Sequence, residues 1–147
     1  MRPLLALLAL ASPLLAAPVP KALVKKAVSV DGDWRWESQE QNGNVSPAPK
    51  SDFCLWRVAG DTMTLVQTQG TSKDEPCGLV CEPKGEGGLR SFEYKVRSNG
   101  YHRRGVCQVD GDTLRVAFSS NNDTPPVDLK SGPNVSVYTF KRVTDSK

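Results

Sequence analysis

Apolar and polar positions alternate in several short segments of the chain, a pattern that predicts β-strands. In the clearest case, Leu114, Val116 and Phe118 alternate with smaller or polar residues after an Asp-Gly-Asp turn at 110–112. Side chains two positions apart lie on the same face of a strand, so this segment has one apolar face. The central glycine of the turn tolerates positive φ, as a tight hairpin requires. Residues 105–118 are therefore predicted to form a β-hairpin.

Similar alternation predicts strands elsewhere, and turn-forming residues separate them. These further strands are expected at 32–38, 53–58, 62–67, 78–82, 91–97 and 135–143. Polar, Gly-rich or Pro-rich composition predicts loops at 68–78, 83–88 and 119–133. About eight short strands joined by turns favour an all-β antiparallel meander, either closed into a barrel or folded as a sandwich. The first and last strands are expected to be adjacent, because closure removes exposed sheet edges.

Residues 1–16 are typical of a secretory signal peptide, with a positive start, an apolar run and small residues before a cleavage point after Ala16. The apolar run is interrupted by Pro13 and is shorter than the roughly 20 residues that span a membrane. We therefore expect a secreted or periplasmic protein without a membrane span. The rest of the chain divides into a linker at 17–29, a β domain at 30–143 and a tail at 144–147.

An even number of cysteines in an exported chain predicts disulfides. The four cysteines are Cys54, Cys77, Cys81 and Cys107. Three pairings are open. A bridge from Cys77 to Cys81 requires a turn at Gly78, because an extended strand separates their Cα atoms by about 13 Å and a disulfide needs less than about 7 Å. A zinc site using these two residues with Cys107 and His102 does not match the spacing of a zinc knuckle, so no metal is expected.

Charge and motifs predict neither nucleic-acid binding nor catalysis. The net charge of +3 is too small and too scattered for a nucleic-acid surface. The basic cluster at 102–104 is interpreted as a solvated loop, and its histidine is the only one in the chain. A catalytic triad therefore has a single candidate base, and no phosphate-binding or nucleophile motif occurs. Turn chemistry explains Asp110 and Asp112. We expect no enzyme activity and no cofactor.

Three segments carry a resemblance to a known family. They are the Gly-Asp-Trp segment at 32–34 with the Asn-Gly turn at 42–43, the hairpin segment at 105–116, and the C-terminal segment at 126–142. Together they resemble a lipocalin-like domain family of unknown function that is common in exported planctomycete proteins. The resemblance covers about 31–143 and is loosest at 46–88. It implies an antiparallel up-and-down barrel of about eight strands.

The resemblance also implies roles for three residues. Lipocalins place a Gly-x-Trp on the first strand, where the indole plugs one end of the barrel and an Arg from the last strand covers it. In this chain Gly32, Trp34 and Arg142 match that pattern. The alternative is that Trp34 is an ordinary core aromatic residue and Arg142 is a surface charge.

Two functions from different classes follow from a barrel. In the first, the interior binds a small apolar molecule, with Trp36, Phe92 and Tyr94 as the expected ligand-binding residues. In the second, side chains fill the interior, and the protein binds or inhibits an envelope protein through its outer surface, with the 119–133 loop as the candidate contact. An enclosed apolar cavity of several hundred Å³ distinguishes the first from the second.

Overall fold

The computed structural model describes residues 29–50, 53–84, 87–121 and 124–144. The predicted signal peptide, its cleavage point and most of the predicted linker lie outside the described residues. The strands are β1 Gly32–Gln41, β2 Asn44–Pro47, β3 Leu55–Ala59, β4 Thr62–Val66, β5 Glu75–Val80, β6 Arg90–Val96, β7 His102–Asp110, β8 Thr113–Ser119 and β9 Val135–Arg142. In the described part of the chain there is no helix, and hence none with the length and apolar character to cross a membrane.

The strands form a closed antiparallel up-and-down barrel, as predicted. From β3 to β9 each strand pairs with the next, and β1 pairs with both β3 and β9. Trp34 lies at this junction, opposite Trp56 on β3 and Arg142 on β9. Eight strands close the barrel, and β2 is an extra strand paired with the second half of β1. The sandwich alternative is therefore wrong, and the adjacency of the first and last strands is confirmed.

The hairpin at the centre of the sequence forms as expected. β7 and β8 pair from Gly105 opposite Phe118 to Asp110 opposite Thr113. Gly111 has φ of 56°, the left-handed conformation that a two-residue turn requires. The apolar positions of β8 are buried in the barrel, so the alternation read from the sequence corresponds to the inner face.

β2 is not among the predicted strands, and β1 continues to Gln41, three residues beyond the predicted end at 38. Two other strands begin three residues earlier than predicted. β5 begins at Glu75, within the segment predicted as a loop, and β7 begins at His102 rather than Gly105. In β5 only Cys77 and Leu79 are buried, so the alternation was too short to identify the strand beside a polar loop. A second, smaller apolar cluster lies on the outside of the barrel, where Leu129 and its neighbours pack over β7, β8 and β9.

Candidate functional site

Trp34 is buried near one end of the barrel, which we call the plugged end. Its indole is fully buried, and the indole N–H donates a hydrogen bond of 2.7 Å to the carbonyl oxygen of Val30. The guanidinium carbon of Arg142 lies 4.1 Å from the centre of the indole ring. A cation–π contact of this kind contributes about 0.5–2 kcal/mol. The position of Trp34 is therefore stabilised by burial, by its hydrogen bond to Val30 and by the cation–π contact with Arg142.

The segment before β1 and the β7–β8 turn hold Arg142 over the indole. Its Nη1 donates a hydrogen bond of 2.6 Å to the carbonyl oxygen of Asp31, and its Nε lies 3.6 Å from a carboxylate oxygen of Asp112. A Cβ atom at Gly32 would collide with the guanidinium, and the φ of +127° there is one that other residues rarely adopt. The three residues of the implied barrel-closing signature, Gly32, Trp34 and Arg142, thus lie together at the plugged end.

The other end of the barrel contains a pocket of about 230 Å³, and we call it the open end. The pocket is lined by Trp36, Phe53, Trp56, Leu65, Tyr94, Arg103, Tyr138 and Phe140. Two of the three expected ligand-binding residues, Trp36 and Tyr94, are among them. Phe92 is not, because it lies two positions closer to the plugged end on β6 and is fully buried.

Aromatic rings form the floor and one wall of this pocket. The ring centre of Trp56 lies 4.2 Å from that of Phe140 and 5.9 Å from that of Phe92, to which it is nearly parallel at 11°. The rings of Trp36 and Tyr138 are 5.4 Å apart along the wall. The barrel interior is therefore partly filled by side chains and partly hollow, between the two alternatives that the sequence left open.

Arg103 brings a charge into this aromatic pocket. Its guanidinium carbon lies 4.5 Å from the ring centre of Phe118 and 5.8 Å from that of Tyr138. Among the described residues, no carboxylate lies within ion-pair distance of this side chain. Burial opposes its charge, but the interactions with Tyr138 and Tyr94 outweigh burial and raise the pKa of Arg103. The pocket therefore contains a permanent positive charge.

The interpretation of residues 102–104 as a solvated loop is wrong, because they begin β7. His102 and Arg104 both reach Glu93 on β6, at 2.8 and 3.4 Å. Arg103 lies between them and so faces the other side of the strand, toward the interior. The sequence does contain a signal for this orientation. In a strand, positions 107, 105 and 103 share one face, so Arg103 lies on the same face as the buried Cys107.

Gln67 is a second polar group that sequence reasoning missed. Both polar atoms of its side-chain amide are buried, and neither has a hydrogen-bond partner within the described ranges. Gln67 follows Leu65 by two positions, the spacing at which side chains of an extended chain share a face. Leu65 lines the pocket. A buried amide without a partner is costly, so a ligand or a water molecule that reached it would be stabilised there.

Comparison with protein-family models, with curated proteins and with solved structures finds no match to this chain. The lipocalin-like resemblance therefore stays a prediction from the residues quoted above. The function must be argued from the pocket itself.

The four cysteines are thiols in the structure, and the sulfur atoms of two of them lie close together. The sulfur atoms of Cys81 and Cys107 are 3.7 Å apart, and Arg90 Nε donates a hydrogen bond of 3.3 Å to Cys81. The hydrogen bond from Cys107 and the nearby Arg90 lower the pKa of Cys81. A lowered pKa favours the thiolate, which is the reactive form in disulfide exchange. No group of three or more metal-ligating side chains occurs in the described part of the chain.

The other two cysteines lie apart. Cys54 precedes Leu55, which pairs with Val66 on β4, whereas Cys77 pairs with Met63 on the same strand. Three residues of strand separate these positions by roughly 10 Å, beyond the about 7 Å limit for a disulfide. Burial raises the pKa of Cys77 to about 11. The local bridge from Cys77 to Cys81 is also unfavourable here, because β5 is extended between them.

We therefore expect one disulfide, between Cys81 and Cys107, in protein oxidised by glutathione disulfide. Each thiol loses a proton and an electron, and the oxidant becomes two molecules of glutathione. Alkylation in denaturant without reductant should add two labels, on Cys54 and Cys77, counted by intact mass and located by peptide mapping. A Cys81→Ser variant is the control and should take up three labels. Oxidised protein that takes up no label would contradict this pairing and support four bonded cysteines.

A second hollow, of about 510 Å³, lies on the outside of the barrel between β8 and β9. It is lined by Ser119, Asn121, Thr124, Pro125, Pro126, Val127, Asp128, Lys130, Asn134 and Val135. Val127 at this hollow is 73% exposed. Most of these residues belong to the 119–133 loop, the segment considered for protein contacts.

Proposed function

We propose that this protein is an exported, non-enzymatic lipocalin-like barrel that binds a small, mainly apolar molecule at its open end. The single observation that carries the proposal is the aromatic pocket of about 230 Å³ inside the barrel. Ligand sites are typically concave and mostly apolar, with a few polar groups that orient the ligand. The plugged end supports the same reading, because a closed base makes the barrel a cup.

The volume limits the size of the ligand. Sites for drug-sized molecules are typically about 300–1,000 Å³, and this pocket of about 230 Å³ is smaller. An apolar cavity of about 150 Å³ is enough to hold benzene. The ligand is therefore expected to be about one ring with small substituents, or a short branched chain.

Calorimetric titration with neutral one-ring and two-ring molecules tests the proposal. We expect p-cresol and toluene to bind with a Kd below about 1 mM, a free energy of about −4 kcal/mol or better, and 2-naphthol to bind more weakly. Binding should also raise the melting temperature, because the ligand stabilises only the folded state.

A pair of variants controls for binding elsewhere on the surface. Leu65→Trp should fill the pocket and abolish binding, since Leu65 lines it. Val80→Trp is the matched control, because Val80 is 49% exposed on β5 and outside the pocket. Absence of binding by every one-ring probe to the folded parent protein would refute the proposal, as would equal binding by the two variants.

The hollow beside the 119–133 loop supports a second candidate function, contact with an envelope or secreted protein. Native mass spectrometry of the protein purified from its natural source separates the two. A retained adduct of roughly 100–200 Da fits a one-ring ligand in a pocket of this size. An adduct of protein mass that is lost in a Val127→Asp variant favours the loop surface instead.

A further inference from the structure

We infer that the pocket selects an anionic ligand, a monocarboxylate of about one ring whose carboxylate binds Arg103. This inference rests on the proposed function and adds the chemical class of the ligand. Its basis is a cation placed inside the barrel among aromatic side chains, with no acidic partner in the described residues.

The neighbours of Arg103 show how unusual its placement is. Arg104 and His102, on either side of it, both contact the carboxylate of Glu93 on the outer face of the sheet. Arg103 points inward, where Phe118 and Tyr138 lie beneath its guanidinium. A buried cation loses hydration and is normally compensated by a paired anion. Arg103 is half-buried, and its neighbours offer ring quadrupoles and a hydrogen bond with Tyr138 but no negative charge, so a carboxylate from the ligand would supply the missing anion.

The chemistry of the guanidinium favours a carboxylate in particular. Its planar fork of N–H donors matches the two oxygen atoms of a carboxylate and can bind both at once. Tyr94 and Tyr138 line the same pocket, and Tyr101 lies close to Tyr94 with ring centres 6.5 Å apart. Burial raises the pKa of Tyr94, so its hydroxyl keeps the proton and can donate a hydrogen bond. The polar end of the ligand thus has a cation and hydroxyl donors.

The remaining pocket surface fits the apolar end of the same molecule. Trp36 and Tyr138, which are only partly buried, provide ring surface against which an aromatic ring can stack, and Trp56, 8% exposed, lies in the floor. A pocket of about 230 Å³ accepts one ring with a carboxylate and excludes fused or long-chain acids. Gln67, two positions beyond the pocket-lining Leu65, has a buried side-chain amide that finds no hydrogen-bond partner among the described residues.

Calorimetry with 4-methylbenzoate and its neutral isostere 4-methylbenzamide tests the inference. The two probes have nearly the same shape and differ in charge, so their ratio of Kd values measures selection for the anion. We expect the folded parent protein to bind the carboxylate at least 10-fold more tightly. Inorganic phosphate at the same ionic strength should compete weakly, because it lacks the ring.

Two variants locate the selection. Arg103→Met should remove the preference for 4-methylbenzoate and leave 4-methylbenzamide binding within about 3-fold, since the aromatic walls are unchanged. Arg104→Met is the matched control and should keep the parent ratio, because Arg104 reaches Glu93 on the outer face. If Arg103→Met does not fold, the ratio for the parent protein decides alone.

The outcomes separate this inference from the proposed function. If the amide binds as tightly as the carboxylate, the pocket binds small molecules and the inference of anion selection is wrong. If phosphate competes as well as 4-methylbenzoate, Arg103 is a general anion site and the ring preference is wrong. If no probe binds, the proposed function itself fails. A preference that persists in Arg103→Met would also overturn the inference.

Discussion

Replacing Trp34 by alanine is expected to destabilise the protein severely. Trp34 has no exposed surface, and its indole N–H is bonded to Val30. Truncation of a buried Trp typically costs about 3–5 kcal/mol, against a total stability of about 5–15 kcal/mol for a domain. The lost ring also leaves Arg142 without its aromatic partner. Thermal melting followed by circular dichroism would measure the effect.

Arg142→Ala is the companion variant to Trp34→Ala. It removes a cation–π contact worth about 0.5–2 kcal/mol and a hydrogen bond to Asp31, so its loss should be clearly smaller than that of the indole. Since about 1 kcal/mol shifts the melting temperature by several degrees in a domain of this size, the two variants should be separable. A Trp34→Ala melt within about 2 °C of the parent would show that Trp34 is not the plug.

Replacing Gly105 by valine is expected to have an effect of similar size, for the opposite reason. A Cβ atom at Gly105 would collide with the carbonyl oxygen of Ala117 and approach the ring of Phe118. The backbone of a paired strand cannot move aside without breaking the β7–β8 ladder. Overpacking usually costs about 1–3 kcal/mol and occasionally more. We expect a loss at the upper end of that range, measured by urea unfolding.

Gly78→Ala is the matched control for Gly105. Gly78 also lies within a strand, but nothing in the described structure lies within 4 Å of the position that its Cβ would take. This substitution should be neutral, or stabilising by up to about 1 kcal/mol through the lower entropy of the unfolded chain. Equal unfolding midpoints for Gly105→Val and Gly78→Ala would contradict the close approach of β7 to β8.

The fold was largely accessible from the sequence because it depends on alternation. The burial pattern alternates along most of β6 and in the first half of β8, and the sequence predicts both strands to within a residue or two. For β5 the sequence predicts a start three residues beyond the true one, since only Cys77 and Leu79 mark its inner face beside a polar run. The alternation pattern could not distinguish a closed barrel from a sandwich. Alternation shows that a strand has one apolar face, but it does not show which other strands that face packs against.

The sequence predicted the pocket residues only in part, because alternation does not show how far along the barrel axis an inward side chain lies. Phe92 and Tyr94 have the same parity on β6, yet only Tyr94 reaches the cavity, while Phe92 packs on Trp56 in the floor. Arg103 was missed for another reason. A charge in a basic cluster is usually solvated, whereas in the structure the register of Arg103 opposite Tyr94 places it on the inner face.

The pairing of β1 with β9 also sets a condition on how the barrel forms. The hydrogen bond from Arg142 to Asp31 joins residues 111 positions apart, and the strand pairs beside it are almost as distant in sequence. At synthesis rates of about 5–20 residues per second, roughly 6 to 22 s pass between the two ends. Until then β1 and β8 are unpaired edges that can bind other chains. Since contacts between residues far apart in the sequence form slowly, we expect the closure of β1 on β9 to be the late event of folding.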